Sequence, residues 1–169
     1  IVELSIPSML AQITTVMMFF IDAAMVGHLG AAASASIGLV ETTTWLMGSI
    51  LSAVSLGFSV QVAHFIGAND FTRARQVFRH ALVCGVAFSV LMALVGASIH
   101  QSLPYWLGGK DDIAPMSSGY FLIFSLTLPA VLLFHLMSAM LKSAGEMRVP
   151  SLLSIMMCGL DVAFNYLFI

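Results

Sequence analysis

Five long apolar segments take up almost the whole of this 169-residue chain. Each is at least as long as the roughly 20 apolar residues that a helix needs to cross the hydrocarbon core of a bilayer. Charged residues make up 8% of the chain, whereas soluble domains carry about 25%, so one water-soluble core cannot bury this much apolar surface. The sequence therefore predicts an all-α membrane protein with five transmembrane helices. The predicted spans cover residues 3–26, 33–65, 71–99, 116–141 and 149–169.

The basic residues are unevenly distributed between the connecting segments. Because lysine and arginine accumulate on the cytoplasmic side, the segments after spans two and four are predicted to be cytoplasmic. Arg73, Arg75 and Arg79 follow span two, in the first part of span three. Lys142 and Arg148 lie between spans four and five, and Lys110 lies in the segment after span three. We therefore expect a multi-pass protein of the plasma membrane, the inner membrane in bacteria, with a cytoplasmic N-terminus. The chain begins and ends in apolar sequence, which predicts a piece of a longer protein, and its net charge of −2 indicates no nucleic-acid partner.

Two aspartates lie inside predicted spans. Asp22 is in the first span and Asp161 is in the fifth, four residues before Asn165 and on the same helical face. A charged side chain at the centre of a spanning helix costs about 2.5–3.5 kcal/mol, so such residues face other protein or a water-filled cavity and mark ion or substrate pathways. Gln12 and Thr15 precede Asp22 at helical spacing and are predicted to line the same cavity.

Four further residues are weaker candidates. Glu41 in span two is either a cavity residue or an outer-interface residue. Met18 and Met25 near Asp22 either contact a hydrophobic ligand or fill packing gaps, since methionine suits both uses. Pro7 removes a helical hydrogen bond and predicts a kink in span one.

Span three carries small residues at four-residue steps. Such a ladder allows another helix to approach closely, so we predict a packing surface there. It consists of Ala81, Gly85, Ser89, Ala93 and Ala97.

No spacing of histidines or cysteines predicts a metal site or a disulfide framework. Cys84 and Cys158 both fall in predicted spans and are interpreted as packing residues. No cofactor is predicted.

An ordered set of motifs along the chain resembles the multidrug and toxic compound extrusion (MATE) transporters. They are Pro7 with residues 22–30, residues 57–59 with residues 66–70, residues 141–150, and residues 161–169. The resemblance implies a twelve-helix transporter of two six-helix lobes, of which this chain would be helices one to five of the N-terminal lobe. The remaining half of the transporter would then be a partner.

The resemblance also implies a function. Members of the family export organic, often cationic, compounds in exchange for protons or sodium. The acid on helix one, here Asp22, is implicated in coupling, and a tyrosine on helix four, here Tyr120, joins the same polar cluster. On helix five the family's usual order is asparagine and then an acid, whereas this chain has Asp161 and then Asn165. If sodium is the coupling ion, Asp22, Asp161 and Asn165 would coordinate it.

Other classes of protein remain as alternatives. A lipid-linked-oligosaccharide flippase of the related superfamily is disfavoured, because a cavity for pyrophosphate should be basic and no lysine or arginine lies deep in a span. An intramembrane aspartyl protease would use Asp22 with Asp161, but no accompanying motif supports it. A scaffold or receptor is also disfavoured, because neither would need acidic residues inside its spans. The sequence therefore favours an antiporter in the lipid bilayer over an enzyme.

Overall fold

The structure is a computed structural model that describes residues 2–28 and 30–168, and it describes residues 2–8, 11 and 168 by their backbone alone. Within these residues the chain forms α-helices and no strand. The helices are α1 (Val2–His28), α2 (Ala31–Gly67), α3 (Phe71–Ile99), α4 (Leu103–Trp106), α5 (Ala114–Ser143) and α6 (Arg148–Phe168). The five long helices begin and end within two residues of the predicted spans, apart from Ile169, which lies outside the described residues. The short helix α4 lies in the segment after span three.

The long helices have the length and composition of membrane spans. Among the described residues, α2, α3, α5 and the part of α6 at Arg148–Leu167 meet both criteria. Helix α1 has 27 residues, and its crossing of the bilayer stays a prediction. Large apolar side chains point away from the protein, such as Phe20 on α1 and Val83 on α3, which are 74% and 71% exposed. Apolar surface on this scale is stable against lipid and not against water.

The chain divides into two compact units. The first unit comprises Ile1–Ser34 and Gly145–Ile169, and in it α1 packs against α6. The second unit comprises Ala35–Ala144 and contains most of α2 together with α3, α4 and α5. Its core is formed where α2, α3 and α5 meet, around Leu51, Phe121 and Leu136.

Helices α3 and α5 pack closely through small side chains. Four of the five predicted ladder residues are buried, namely Ala81, Gly85, Ser89 and Ala93, whereas Ala97 is half-buried and the next fully buried position is Gly96. The reason is that a four-residue step overshoots one turn of 3.6 residues by about 40°, so a strict four-residue ladder drifts off the contact face. A Cβ on Gly96 would lie 2.8 Å from Cβ of Ser125 on α5, which explains why glycine is needed there.

Local side-chain contacts fix where two of the helices begin. The Asp70 carboxylate accepts a hydrogen bond from the backbone N–H of Arg73 at 3.0 Å and also pairs with its guanidinium at 3.2 Å, which caps α3. At the other connection, Gly145 has a φ of 84° and ends α5 in the left-handed conformation. The Glu146 carboxylate then accepts from the backbone N–H of Arg148 at 2.8 Å, where α6 begins.

Candidate functional site

The two acids predicted from the sequence meet in the first unit through one amide. The Asn165 side-chain nitrogen donates a hydrogen bond to Oδ1 of Asp22 at 2.8 Å and a longer one to Oδ2 of Asp161 at 3.4 Å. Asp22 is on α1 and the other two residues are on α6, 143 positions further along the chain for Asn165. All three side chains are half-buried. We call these three residues the acid–amide cluster.

Helix geometry explains one half of this cluster and helix packing the other. Asp161 and Asn165 are four residues apart, so they lie one above the other on a single face of α6. Asp22 joins them because α1 packs along that face. An amide nitrogen is a donor with two hydrogens, so one asparagine can serve two carboxylates at once. The side-chain amide of Asn165 therefore holds a carboxylate oxygen of each acid in a contact with protein.

The cluster carries uncompensated negative charge when both acids are ionised. The two accepting oxygens are at most about 6 Å apart, since both bond to one nitrogen, and two unit charges at that distance repel by about 3 kcal/mol at an effective dielectric constant near 20. Among the described residues the one ion pair joins Arg73 to Asp70, in the second unit. A proton or a monovalent cation at the cluster would relieve this repulsion.

The donor set suits a hard, weakly charged cation better than a transition metal. The described residues contain no group of three histidine, cysteine or acidic side chains that could hold a metal ion. The cluster offers carboxylate oxygens and one amide, and oxygen ligands are those preferred by hard cations. Its chemistry therefore fits reversible binding of a proton or of sodium.

The other predicted residues of α1 have diverse environments. Gln12 is exposed, whereas Thr15, Met18 and Met25 are half-buried. The backbone of Pro7 lies within α1, but its side chain lies outside the described side chains, so the predicted kink stays a prediction.

Two predicted site residues belong to the second unit. Glu41 on α2 is exposed, and Tyr120 on α5 is 39% exposed. Their membership of a site with the acid–amide cluster stays a prediction.

Three buried hydroxyl-bearing residues of α2 form hydrogen bonds within their own helix. The buried hydroxyl groups of Thr44, Ser55 and Ser59 donate to backbone carbonyl groups three or four residues earlier, at 2.8, 3.0 and 2.8 Å. Such bonds allow hydroxyl-bearing residues to pack inside an apolar bundle. For these three residues the structure supports a packing role.

A polar groove between α2 and α5 was missed by the sequence reasoning. It has a volume of about 480 Å³ and is lined from α5 by His135, Ser138 and Lys142, which repeat at helical spacing. The helical spacing of these three polar residues could have predicted a polar face on α5 from the sequence. We call this feature the α2–α5 groove.

The fold and the cluster together define a class of protein: a multi-pass helical membrane protein with paired acids between two of its helices. A family model described as MatE matches residues 7–167, which is nearly the whole chain. The chain belongs to this family.

Curated relatives match the chain along most of its length. A probable multidrug resistance protein NorM from Halalkalibacterium halodurans is 23% identical over 163 residues, which cover 96% of this chain and 36% of that protein. An FAD transporter from Shewanella oneidensis is 22% identical over 153 residues, covering 90% of this chain and 34% of that protein. This chain thus spans about a third of the length of these relatives.

A solved structure matches the fold. The structure described as a crystal structure of MATE in complex with MaD3S superposes with a TM-score of 0.95 and 22% identity, and the match covers 99% of this chain and 38% of that one. The predicted fold class, part of the N-terminal lobe of a MATE-like transporter, is confirmed.

Proposed function

We propose that this chain supplies the coupling site of a secondary active antiporter that exports organic cations in exchange for protons or sodium. The observation that carries the proposal is the double hydrogen bond from Asn165 to Asp22 and Asp161. It links two acids from different helices in one half-buried cluster, and acids inside spanning helices mark ion pathways.

Exchange follows from the charge of the cluster. With both acids ionised, the site attracts a cation. When a proton or sodium ion enters from outside, the charge falls and the hydrogen bonds between α1 and α6 change. Because the ion and the drug then stabilise different packings of these helices, the binding of one is linked to the release of the other as a coupling free energy.

The charges of the first unit support a cationic substrate. Helix α1 contains no lysine or arginine, and on α6 the one basic residue is Arg148, in the first turn and far from Asp161. A negatively charged cluster without a deep basic partner disfavours the flippase alternative, whose substrate carries pyrophosphate. The names of the NorM relatives also support multidrug efflux.

The protease alternative has less support. A pair of catalytic aspartates shares one proton between adjacent carboxyl groups, and Asp22 and Asp161 are also close neighbours. However, the Asn165 amide donates to both carboxylates, and the sequence carries no accompanying protease motif.

We further propose that the chain lies in the plasma membrane with its N-terminus in the cytoplasm. The basic segments that contain Arg73 and Lys142 would then face the cytoplasm. Transport also needs a second bundle that moves against the first, so the remaining half of the transporter is the proposed partner.

The test is the uptake of a fluorescent organic cation into inverted membrane vesicles that contain the protein at its full length. Asp22→Asn keeps the size of the side chain but removes its charge, so we expect ion-driven uptake to fall about tenfold or more. The matched control is Asp111→Asn, which makes the same change at an exposed residue of the segment after α4 and should leave uptake unchanged. Equal uptake by both variants would remove Asp22 from the mechanism.

A further inference from the structure

The α2–α5 groove lies within the second unit and is separate in sequence from the acid–amide cluster. Its α5 wall carries His135, Ser138 and Lys142, and its α2 wall carries Ser52, Ser55 and Ser59. On each helix these residues step by three or four positions, so they share one face. The described lining contains no aspartate or glutamate.

The hydroxyl groups in the groove differ in their capacity to donate. Ser55 and Ser59 donate to carbonyl groups of their own helix, and Ser143 donates to carbonyl oxygens of Ser59 and Ala139 at 3.0 and 2.9 Å. Ser52 and Ser138 donate no hydrogen bond to another described residue. The donors that remain are these two hydroxyl groups, the ammonium group of Lys142 and the imidazole of His135.

The groove lies near the end of α5 that precedes a basic connecting segment. Ser143 is the last residue of α5 and bonds to Ser59, whereas α2 continues to Gly67, about 12 Å further at 1.5 Å per residue. The last two turns of α2 thus extend beyond the end of α5, on the side that carries the basic segments. Lys142 is exposed at this level, and His135 lies about 10 Å deeper along α5.

We propose that the α2–α5 groove binds a phosphate group, with Lys142 and Ser138 as its principal contacts. A positively charged groove with free hydroxyl donors and no acid suits an anion with several acceptor oxygens. Basic pockets between spanning helices on the cytoplasmic side bind anionic lipid head groups, and a phosphate-bearing solute would present the same chemistry. The proposal goes beyond the transport function and does not depend on the acid–amide cluster.

The experiment measures lipid adducts by native mass spectrometry on the protein purified at its full length in detergent. Dioleoylphosphatidylglycerol is titrated as the anionic probe and dioleoylphosphatidylcholine as the zwitterionic comparison. We expect Lys142→Gln to weaken phosphatidylglycerol binding about tenfold, since a charge-assisted contact is lost, and Lys142→Arg to retain it. Ser138→Leu fills the groove without a change of charge and should weaken binding to a similar extent.

The matched control is Arg148→Gln, which removes one positive charge at the first residue of α6, outside the groove. Its affinity for phosphatidylglycerol should equal that of the unmodified protein. Inorganic phosphate is then added as competitor: displacement of the lipid assigns the groove to free phosphate-bearing solutes as well, and lack of displacement assigns it to lipid. The proposal is overturned if Lys142→Gln and Ser138→Leu bind phosphatidylglycerol as tightly as the unmodified protein, or if Arg148→Gln weakens binding equally.

Discussion

Replacing Asn165 by leucine should destabilise the first unit, because it removes the donor that holds two carboxylates together. The bond to Asp22 at 2.8 Å is of full strength, whereas the bond to Asp161 at 3.4 Å is close to the limit and contributes little. A hydrogen bond to a charged group contributes about 1.5–3 kcal/mol, and half-burial places this one near the lower end. We therefore expect Asn165→Leu to lower the free energy of unfolding by about 2 kcal/mol.

A double-mutant cycle with Asp22 tests the cause of this loss. In Asp22→Asn the stronger acceptor is neutral, and a neutral hydrogen bond contributes about 1 kcal/mol, so Asn165→Leu should then cost about 1 kcal/mol less than in the unmodified protein. Both free energies are measured by equilibrium unfolding in mixed dodecylmaltoside and SDS micelles. Gln12→Leu is the matched control, an amide-to-leucine change at an exposed position of α1, and should change stability by less than about 0.5 kcal/mol.

If the changes in the free energy of unfolding caused by Asn165→Leu and Asp22→Asn add to within about 0.5 kcal/mol, the two residues do not interact, because additivity is the behaviour of independent sites. A loss as small as that of Gln12→Leu would also contradict the predicted effect of Asn165→Leu. Either result would mean that the amide does not stabilise the charged acids.

Two further predictions concern the second unit. Gly96→Ala should destabilise the packing of α3 on α5 by about 1–3 kcal/mol, because the added Cβ would lie 2.8 Å from Cβ of Ser125. Gly119→Ala has open space around the added Cβ and should instead stabilise α5 by about 0.5–1 kcal/mol. Thermal unfolding in detergent measures both changes in stability, and changes of the same sign would contradict the packing argument. Asp70→Ala should cost about 1 kcal/mol through loss of the α3 cap at Arg73, seen as faster proteolysis between α2 and α3, with Asp111→Ala as the unaffected control.

The helices were predictable because their signal is local. A run of about 20 apolar residues is long enough to span lipid wherever the rest of the chain lies, so the bounds of α3 agree with the predicted span at both ends. The short helix α4 carries a weaker signal, because four residues make barely one turn. The buried face of α3 was predicted as far as Ala93. Beyond it Gly96 is fully buried and Ala97 only half-buried, because a strict four-residue step departs from the helical period of 3.6 residues.

The candidate site was predictable in its residues and not in its contacts. The cost of placing a carboxylate in lipid singles out Asp22 and Asp161 from the sequence alone. The sequence does not reveal that the Asn165 nitrogen lies between them, since this depends on how α1 packs on α6. Nor does it show that Ser55 and Ser59 bond to their own helix while Ser138 remains available in the α2–α5 groove.

Hydropathy and charge along the sequence identify apolar helices long enough to span a bilayer and two energetically costly acids, one near each end of the chain. Only the tertiary structure decided that these acids share one amide donor, at 2.8 and 3.4 Å. The physical reason is that hydropathy and helical period act over neighbouring residues, whereas a hydrogen bond between positions 143 residues apart exists only once two helices have packed in one register.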